Sequence, residues 1–583
     1  MYKDIEAGVA ARVPNSKKKY SAIAALSLAF LLSIAKLWFI WYFLGAPSKI
    51  SKLSVGNSIL DDSACPVAPA LRPESYVKDN STLVKIVEDQ TFRNESVAKL
   101  LGAVHYRTVS SDSRPDPKTN PEFYAPFLKF HEYLQKTYPL AHKYLDLEHP
   151  GYEFNLLYTW RGSDPSLKPL VLMAHQDVVP VNPDTLGEWE HEPFEGYYDG
   201  HFLYGRGVSD CKSLLSSLFQ AIELLIKDGF EPTRTVVLSL GFDEEVGGKY
   251  GAATLSDFLV SRYGRHGAYA IVDEGGAAIE QIDDTLFALP AVGEKGSLES
   301  YIELFTPGGH SSVPPDHTNI GIISELVSNI EKAPFSPDIT ESNPFFKYLQ
   351  CMAVHATEDS AVPKNEILRL LVDESAKERV LKWVDSKRNL RYLAKTTQAV
   401  DIIDGGIKAN ALPEHTKLVV NHRVNVGSSC AVTGEKILND IKSVASKHNL
   451  GLRFNNEEIL PKTENGYFNY TTGDMLEPAP VSPTTGGNWE VFSGTVKHLF
   501  EDIAYPGQLK NPVVVSPSIT TGNTDTAHYW DLTKHIYRYR LATFNSVLDG
   551  HAHGVNEQMP VESHMYLVAF NYEYIRNCDA AKD

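Results

Sequence analysis

The chain has 583 residues, of which 43% are hydrophobic, 10% aromatic and 22% charged, and its formal net charge is −18. That length exceeds what one hydrophobic core organises, so at least two domains are expected, and the composition is globular rather than disordered. The acidic balance argues against a nucleic-acid partner, which needs a basic stripe, and there is no Walker-type phosphate loop and no CxxC pair.

Residues 1–19 read as a cytosolic tail and 20–45 as a transmembrane anchor. Residues 20–35 are apolar or small, and LWFIWYFLG carries the run to Gly45. About 25 residues suffice to cross a bilayer. Lys36 interrupts the run at a cost of roughly 2.5–3.5 kcal/mol, but it lies past the midpoint and its stem can snorkel. Trp38, Trp41 and Tyr42 suit an interfacial belt, and Lys17, Lys18 and Lys19 place the N-terminus in the cytosol. A cleaved signal peptide is the alternative; the long run without an A-x-A site favours an uncleaved type II anchor. The remainder would then be lumenal, with candidate glycosylation sites at Asn80, Asn94 and Asn469.

Residues 46–84 are rich in Ser, Pro and Asp without a sustained period, and read as a stalk. The five cysteines, Cys65, Cys211, Cys351, Cys430 and Cys578, are odd in number and scattered, so no disulfide framework is expected.

From about 85 onward helix and strand patterns alternate. PLVLMAH (169–175), TVVLSLGF (235–242) and AYAIVDEG (268–275) are apolar runs bounded by polar turns, as in strands buried on both faces. Between the first two, Leu214, Leu215, Leu218, Ile222, Leu225 and Ile226 recur at helical spacing. This alternation predicts an α/β fold with a mostly parallel central sheet covered by helices on both faces, its first part spanning 85–295. Over 296–460 the pattern changes. SLESYIELF and TKLVVNHRVN alternate, with a helical stretch near 431–447, which predicts a smaller inserted α+β domain. Residues 461–583, with a helix near 488–502 and a final helix, return to the first domain.

Four segments, MAHQDVVP, GRGVSDCK, GFDEEVGG and IVDEGG, bring His175, Asp177, Asp210, Glu244, Glu245 and Asp273 to strand ends or a helix start. In open α/β sheets, ligands bind past the carboxyl ends of the strands. Singly, Asp210 reads as a helix cap, the Asp-Glu-Glu run as a solvated loop and His175 as a satisfied buried histidine. Together they need a cation, because unpaired buried carboxylates are expensive. Zn²⁺ takes His nitrogen and carboxylate oxygen, and one carboxylate can bridge two ions about 3.5–4 Å apart.

The motifs follow one another as H-x-D, an Asp opening a helix, a Glu-Glu pair, an Asp after a strand, and a late HGVNE. In that order they resemble the M20 family of dinuclear zinc peptidases over about residues 80–583, and within it the fungal vacuolar carboxypeptidases of Gly-X type. The resemblance implies two Zn²⁺ ions, one on His175 and Asp273, the other on Glu245 and His553, bridged by Asp210. His551 competes with His553, which alone has the H-x-x-N-E spacing. It further implies that Glu244 is the general base that passes a proton from the attacking water to the leaving amine. Asp177 would orient the His175 imidazole, and Asp210–Cys211 would be a cis peptide.

In the inserted domain, the resemblance implies that His310 of PGGHSSVPP polarises the scissile carbonyl. Asn410 of KANALP and Arg423 of NHRVN would grip the substrate's α-carboxylate, for which a guanidinium has the right bidentate geometry. Gly522 of TGNTDT would lie against the substrate. The implied activity is removal of the C-terminal residue from short peptides in the vacuole lumen, with a hinge between the domains and a possible homodimer through the inserted domain. Two rivals stand beside it. One is an N-acyl amino acid hydrolase or synthase with the same zinc pair, distinguished by an apolar groove on the acyl side. The other is an inactive membrane-tethered binding protein, against which stands the complete set of ligands and base.

Overall fold

The three apolar runs become the strands Leu170–His175, Val236–Gly241 and Ala270–Asp273, buried at every residue. In this computed structural model the described residues are 64–275, 279–545 and 549–583. The expected tail and anchor, residues 1–45, lie outside them; among the described residues no helix is long and apolar enough to cross a membrane.

Leu170–His175 runs parallel to both other strands, and Ile536–Arg538 adds a fourth parallel strand beside Ala270–Asp273. The flanks depart from the expected parallel arrangement. Leu156–Trp160 is antiparallel to Val236–Gly241, Asp146–Glu148 pairs antiparallel outside it, and Ala291–Glu294 is antiparallel to Ile536–Arg538. Ser518–Thr520 completes the eight strands, parallel to Ala291–Glu294. The sheet is therefore mixed. Parallel neighbours need a long crossover connection, and the central strands are the ones that have helices between them.

Alternate residues of each strand enter two cores. Leu170, Leu172 and Ala174 pack with Leu214, Leu218 and Ile222 of the helix Lys212–Lys227 and with the final helix Val561–Ala580. Val171 and Met173 pack with Leu255 and Leu259 of the helix Ala252–Tyr263. Each such Leu contributes about 1.5–3 kcal/mol by leaving water. Helices on both faces thus agree with the alternation read from the sequence.

The second sheet has six strands, in the order Thr397–Gly405, His415–Val424, Gly296–Phe305, Tyr467–Leu476, Gly451–Phe454 and Glu457–Leu460. Gly296–Phe305 alternates strictly between buried and half-buried residues. The helices Asn319–Lys332 and Cys430–Lys447 cover one face around Ile302, Leu304, Leu418 and Val420. This sheet runs on to Leu476, past the boundary expected at 460.

Two features were not legible beforehand. Helices from Pro344 to Arg391 interrupt the smaller domain, and their core residues Phe345, Tyr348 and Val380 join Ile282, Phe287 and Val514 of the catalytic part. The expectation of no disulfide is also corrected: Cys65 bonds Cys351 across 286 residues, while Cys211, Cys430 and Cys578 are free and buried. A pairing so distant in sequence has no spacing signature. The described part of the expected stalk is likewise packed. Leu71 N donates to Gly494 O at 2.9 Å, and the helix Ser81–Glu88 buries Leu83 and Ile86.

Candidate metal centre

His175 closes its strand in register with Gly241, which sets the imidazole beside the turn that carries Glu244 and Glu245. Its Nδ1 lies 3.0 Å from Asp177 O and 3.3 Å from Asp177 Oδ1. The Asp177 carboxylate also accepts the backbone N–H of Glu244 and of Glu245, each at 3.1 Å, and the Ser110 hydroxyl. Asp177 therefore holds the imidazole and the Glu-Glu turn at once, and it leaves the His175 Nε2 lone pair facing outward.

That Nε2 sits 3.2 Å from Asp210 Oδ1 and 3.4 Å from Glu274 Oε1. The other oxygen of Asp210, Oδ2, is 3.2 Å from His553 Nε2, which is itself 3.0 Å from Glu245 Oε2. One carboxylate thus offers an oxygen to each of two histidine–acid groups. Within each group, His175–Asp210–Cys211–Glu274, His175–Glu244–Glu245 and Asp210–Glu245–His553, the candidate ligand atoms lie within 4.8 Å of one another. The Asp210–Cys211 peptide is cis, as the resemblance implied. His551 joins none of these groups.

Asp273 does not join them either. By the pleat it shares the face of Ile271, and its buried Oδ2 has no hydrogen-bond partner. Glu274, one residue past the strand, is the acid of this pair whose carboxylate comes within 3.4 Å of His175 Nε2. The sequence reading missed it because the two acids are adjacent and strand alternation does not extend beyond the last ladder residue.

Burial raises the Glu244 carboxyl well above its ordinary range. Burial, then the Asp210 charge, pushes Glu245 up to about 7, and burial, then Glu274, pushes Asp273 up to about 8. Asp210 moves the opposite way: burial opposes its charge, but hydrogen bonds from His175 and His553 hold it well below the usual carboxylate range. Glu245 Oε1 is buried with no hydrogen-bond partner. Acids crowded this way keep protons unless a cation takes their place. The donor set, two imidazoles and several carboxylates with unpaired buried oxygens, fits a divalent metal ion.

Arg423 lies on the smaller sheet and donates from Nη1 to Asn523 Oδ1 at 2.7 Å, beside the exposed Gly522. Asn523 Nδ2 in turn donates to Lys295 O at 2.6 Å. His310 and Asn410 come together elsewhere, where Gly309–His310 pairs antiparallel with Ala411–Leu412 across about a hundred residues of sequence. Both are exposed, and among the described residues no hydrogen bond or ion pair ties them to the carboxylate cluster. Of the sequons, Asn80 is exposed ahead of a helix, Asn94 is exposed on a helix whose Ser96 is buried, and Asn469 is half-buried and donates to Glu303.

The sequence pattern of peptidase family M20/M25/M40 matches residues 171–577. The chain belongs to that family. As an M20 protein it is a metal-dependent hydrolase. It is 46% identical over 497 residues to carboxypeptidase S of Saccharomyces cerevisiae, covering 84% of this chain and 85% of that one. It is 30% identical over 493 residues to the N-fatty-acyl-amino acid synthase/hydrolase PM20D1 of Mus musculus, covering 83% and 88%. Its fold is similar to that of human carnosine dipeptidase 1, with a TM-score of 0.59 at 12% identity over 87% of this chain and all of that one.

Proposed function

We propose that this M20 enzyme is a dinuclear zinc carboxypeptidase that removes the C-terminal residue of short peptides. The observation that carries the two-ion reading is Asp210, whose two oxygens face different histidines at the same 3.2 Å. His175 and Glu274 would hold one ion and Glu245 and His553 the other, with Asp210 between them. When bound, such ions polarise the scissile carbonyl and lower the pKa of water toward neutrality.

Glu244 stands in the same cluster, with its backbone tied to Asp177 and its carboxyl raised by burial. A carboxyl raised by burial holds a proton more tightly than a solvated one, which suits a general base that takes a proton from the attacking water and returns it to the leaving amine. Arg423 and Asn410 bind the substrate's free carboxylate, Gly522 and its loop line the substrate, and His310 stabilises the developing oxyanion. The exposed strand pair that brings His310 and Asn410 together reaches the cluster when the smaller domain closes or when a second copy supplies it. The exposed Ile402 and Ile403 on the outer strand Thr397–Gly405 support a homodimer through that domain. Residues 20–45 anchor the chain as a type II membrane protein with its catalytic part in the vacuole lumen. The Cys65–Cys351 disulfide suits such an oxidising compartment.

Greater identity to a carboxypeptidase than to an acyl-amino acid synthase/hydrolase supports a peptide substrate. Hydrolysis of a blocked Gly-Leu dipeptide is expected to exceed that of a long-chain acyl leucine in kcat/KM; the reverse order would transfer the activity to the acyl reading. Glu244→Gln is expected to lower kcat by about 10²–10⁴ with metal content unchanged, and full activity in that variant would remove Glu244 as the base.

A further inference from the structure

His553 is an unlikely residue to hold a position by itself. Its side chain is more than half exposed, and it sits in a loop where His551, His553 and Asn556 all have positive φ, at 53°, 65° and 58°. Non-glycine residues occupy that region only where the surroundings over-determine them. The constraint comes from the same loop. Glu557 is fully buried and turned toward the segment that leads to Asp210. Its Oε1 accepts the backbone N–H of Gly207 at 3.0 Å, Ser209 at 2.8 Å and Asp210 at 3.1 Å. Its Oε2 accepts Arg206 Nη1 at 2.7 Å and the Gly207 N–H at 3.0 Å.

Arg206 closes the link. Its Nη2 donates to Gly554 O, the residue after His553, at 3.2 Å, and its guanidinium lies 5.4 Å from the Trp189 ring. Glu557 O accepts Gly205 N at 3.0 Å, and Asn556 Oδ1 accepts Glu190 N at 2.7 Å. A carboxylate that gathers several N–H donors and a guanidinium is strongly held. Two loops separated by more than 300 residues in sequence are thus joined through one buried ion pair, and each carries one donor to the same group, Asp210 and His553.

We propose that Glu557, braced by Arg206, is a positioning residue that sets the His553–Asp210 separation and thereby the affinity of the second metal position. This rests on the two-ion reading above. Glu557 touches no candidate ligand side chain. It acts through the backbone N–H of Asp210 and, by way of Arg206, the carbonyl next to His553.

The test is a zinc titration of the metal-free full-length enzyme against a chromophoric chelator, for the wild type, Glu557→Gln, Arg206→Lys and His553→Ala. The wild type is expected to take up two ions. Glu557→Gln and Arg206→Lys are expected to keep the first at wild-type affinity and to bind the second on the order of 10–100-fold more weakly, the same ion that His553→Ala loses. The thermal midpoint of the metal-free proteins separates this from a general loosening. Uptake of both ions at wild-type affinity in the folded variants would overturn the proposal, and so would equal weakening of both ions with a fall in the metal-free midpoint. Should Glu557→Gln fail to fold, Arg206→Lys is read by the same criteria. A wild-type enzyme that takes up only one ion would instead overturn the two-ion reading, and this proposal with it.

Discussion

Two adjacent acids stand at the end of the strand Ala270–Asp273, the first inside it and the second just beyond, and the direction of a single peptide decides which one meets His175. Asp273 O accepts Tyr539 N at 2.9 Å, which keeps Asp273 in the ladder and sends its side chain to the face of Ile271. Glu274 is free of the ladder, and its longer side chain comes within 3.4 Å of His175 Nε2. Glu274→Gln is therefore expected to weaken zinc by more than about 100-fold, beyond what loss of an outer partner causes. Asp273→Asn is expected to leave affinity within a few-fold, since it only neutralises a carboxyl that burial already holds near pH 8. Metal titration of both variants decides the matter; the opposite ranking would restore Asp273 as the ligand. The remaining acids stood out in the sequence because they lie just past the end of an apolar run or, for Asp210, at a helix start, where a charge is conspicuous.

Periodicity told well for long elements and poorly for short or interrupted ones. The helix Lys212–Lys227 and the strand Gly296–Phe305 match their sequence patterns, whereas the helices between Pro344 and Arg391 span no more than 12 residues each. The final helix Val561–Ala580 carries a consequence of deep burial. His564 is fully buried, and burial pushes its imidazole down to about 3. In the unfolded chain a histidine takes a proton near pH 6.5. Between those values the unfolded state binds a proton that the native state does not, so stability is present above pH 6.5 and is lost as pH falls toward 3. The slope approaches about 1.4 kcal/mol per pH unit for one such group. Glu573 on the same helix is raised by burial and acts in the opposite direction. His564→Gln should therefore show a smaller drop in thermal midpoint between pH 7 and pH 4.5 than the wild type. An unchanged drop would mean that acid sensitivity arises elsewhere.

At the scale of the whole molecule, the Cys65–Cys351 bond ties the segment that follows the expected anchor to helices packed on the catalytic part. Its closed loop contains six of the eight catalytic-sheet strands and, of the smaller sheet, only Gly296–Phe305, so it restrains much of the unfolded chain. Cys65→Ser is expected to lower unfolding free energy by about 2–4 kcal/mol, read as a lower urea midpoint. It should also make residues near 64–78 more sensitive to limited proteolysis. Because no metal-group residue touches the disulfide, zinc uptake should stay at the wild-type level. A variant with unchanged midpoint and cleavage would show that noncovalent packing alone holds this segment.

By itself the sequence determined the α/β class, the alternating second sheet, the metal chemistry and the family. Each of these is written in local pattern: buried runs, period-two alternation, and acids placed where such runs end. The tertiary structure alone decided which acid of the pair faces His175, how the sheet edges run, which cysteines pair, and that Glu557 and Arg206 join the Asp210 and His553 loops. Those outcomes depend on the direction of a side chain after a strand ends or on contacts across hundreds of residues. Neither is encoded in spacing; both arise only when the packed strands fix where the chain ends meet.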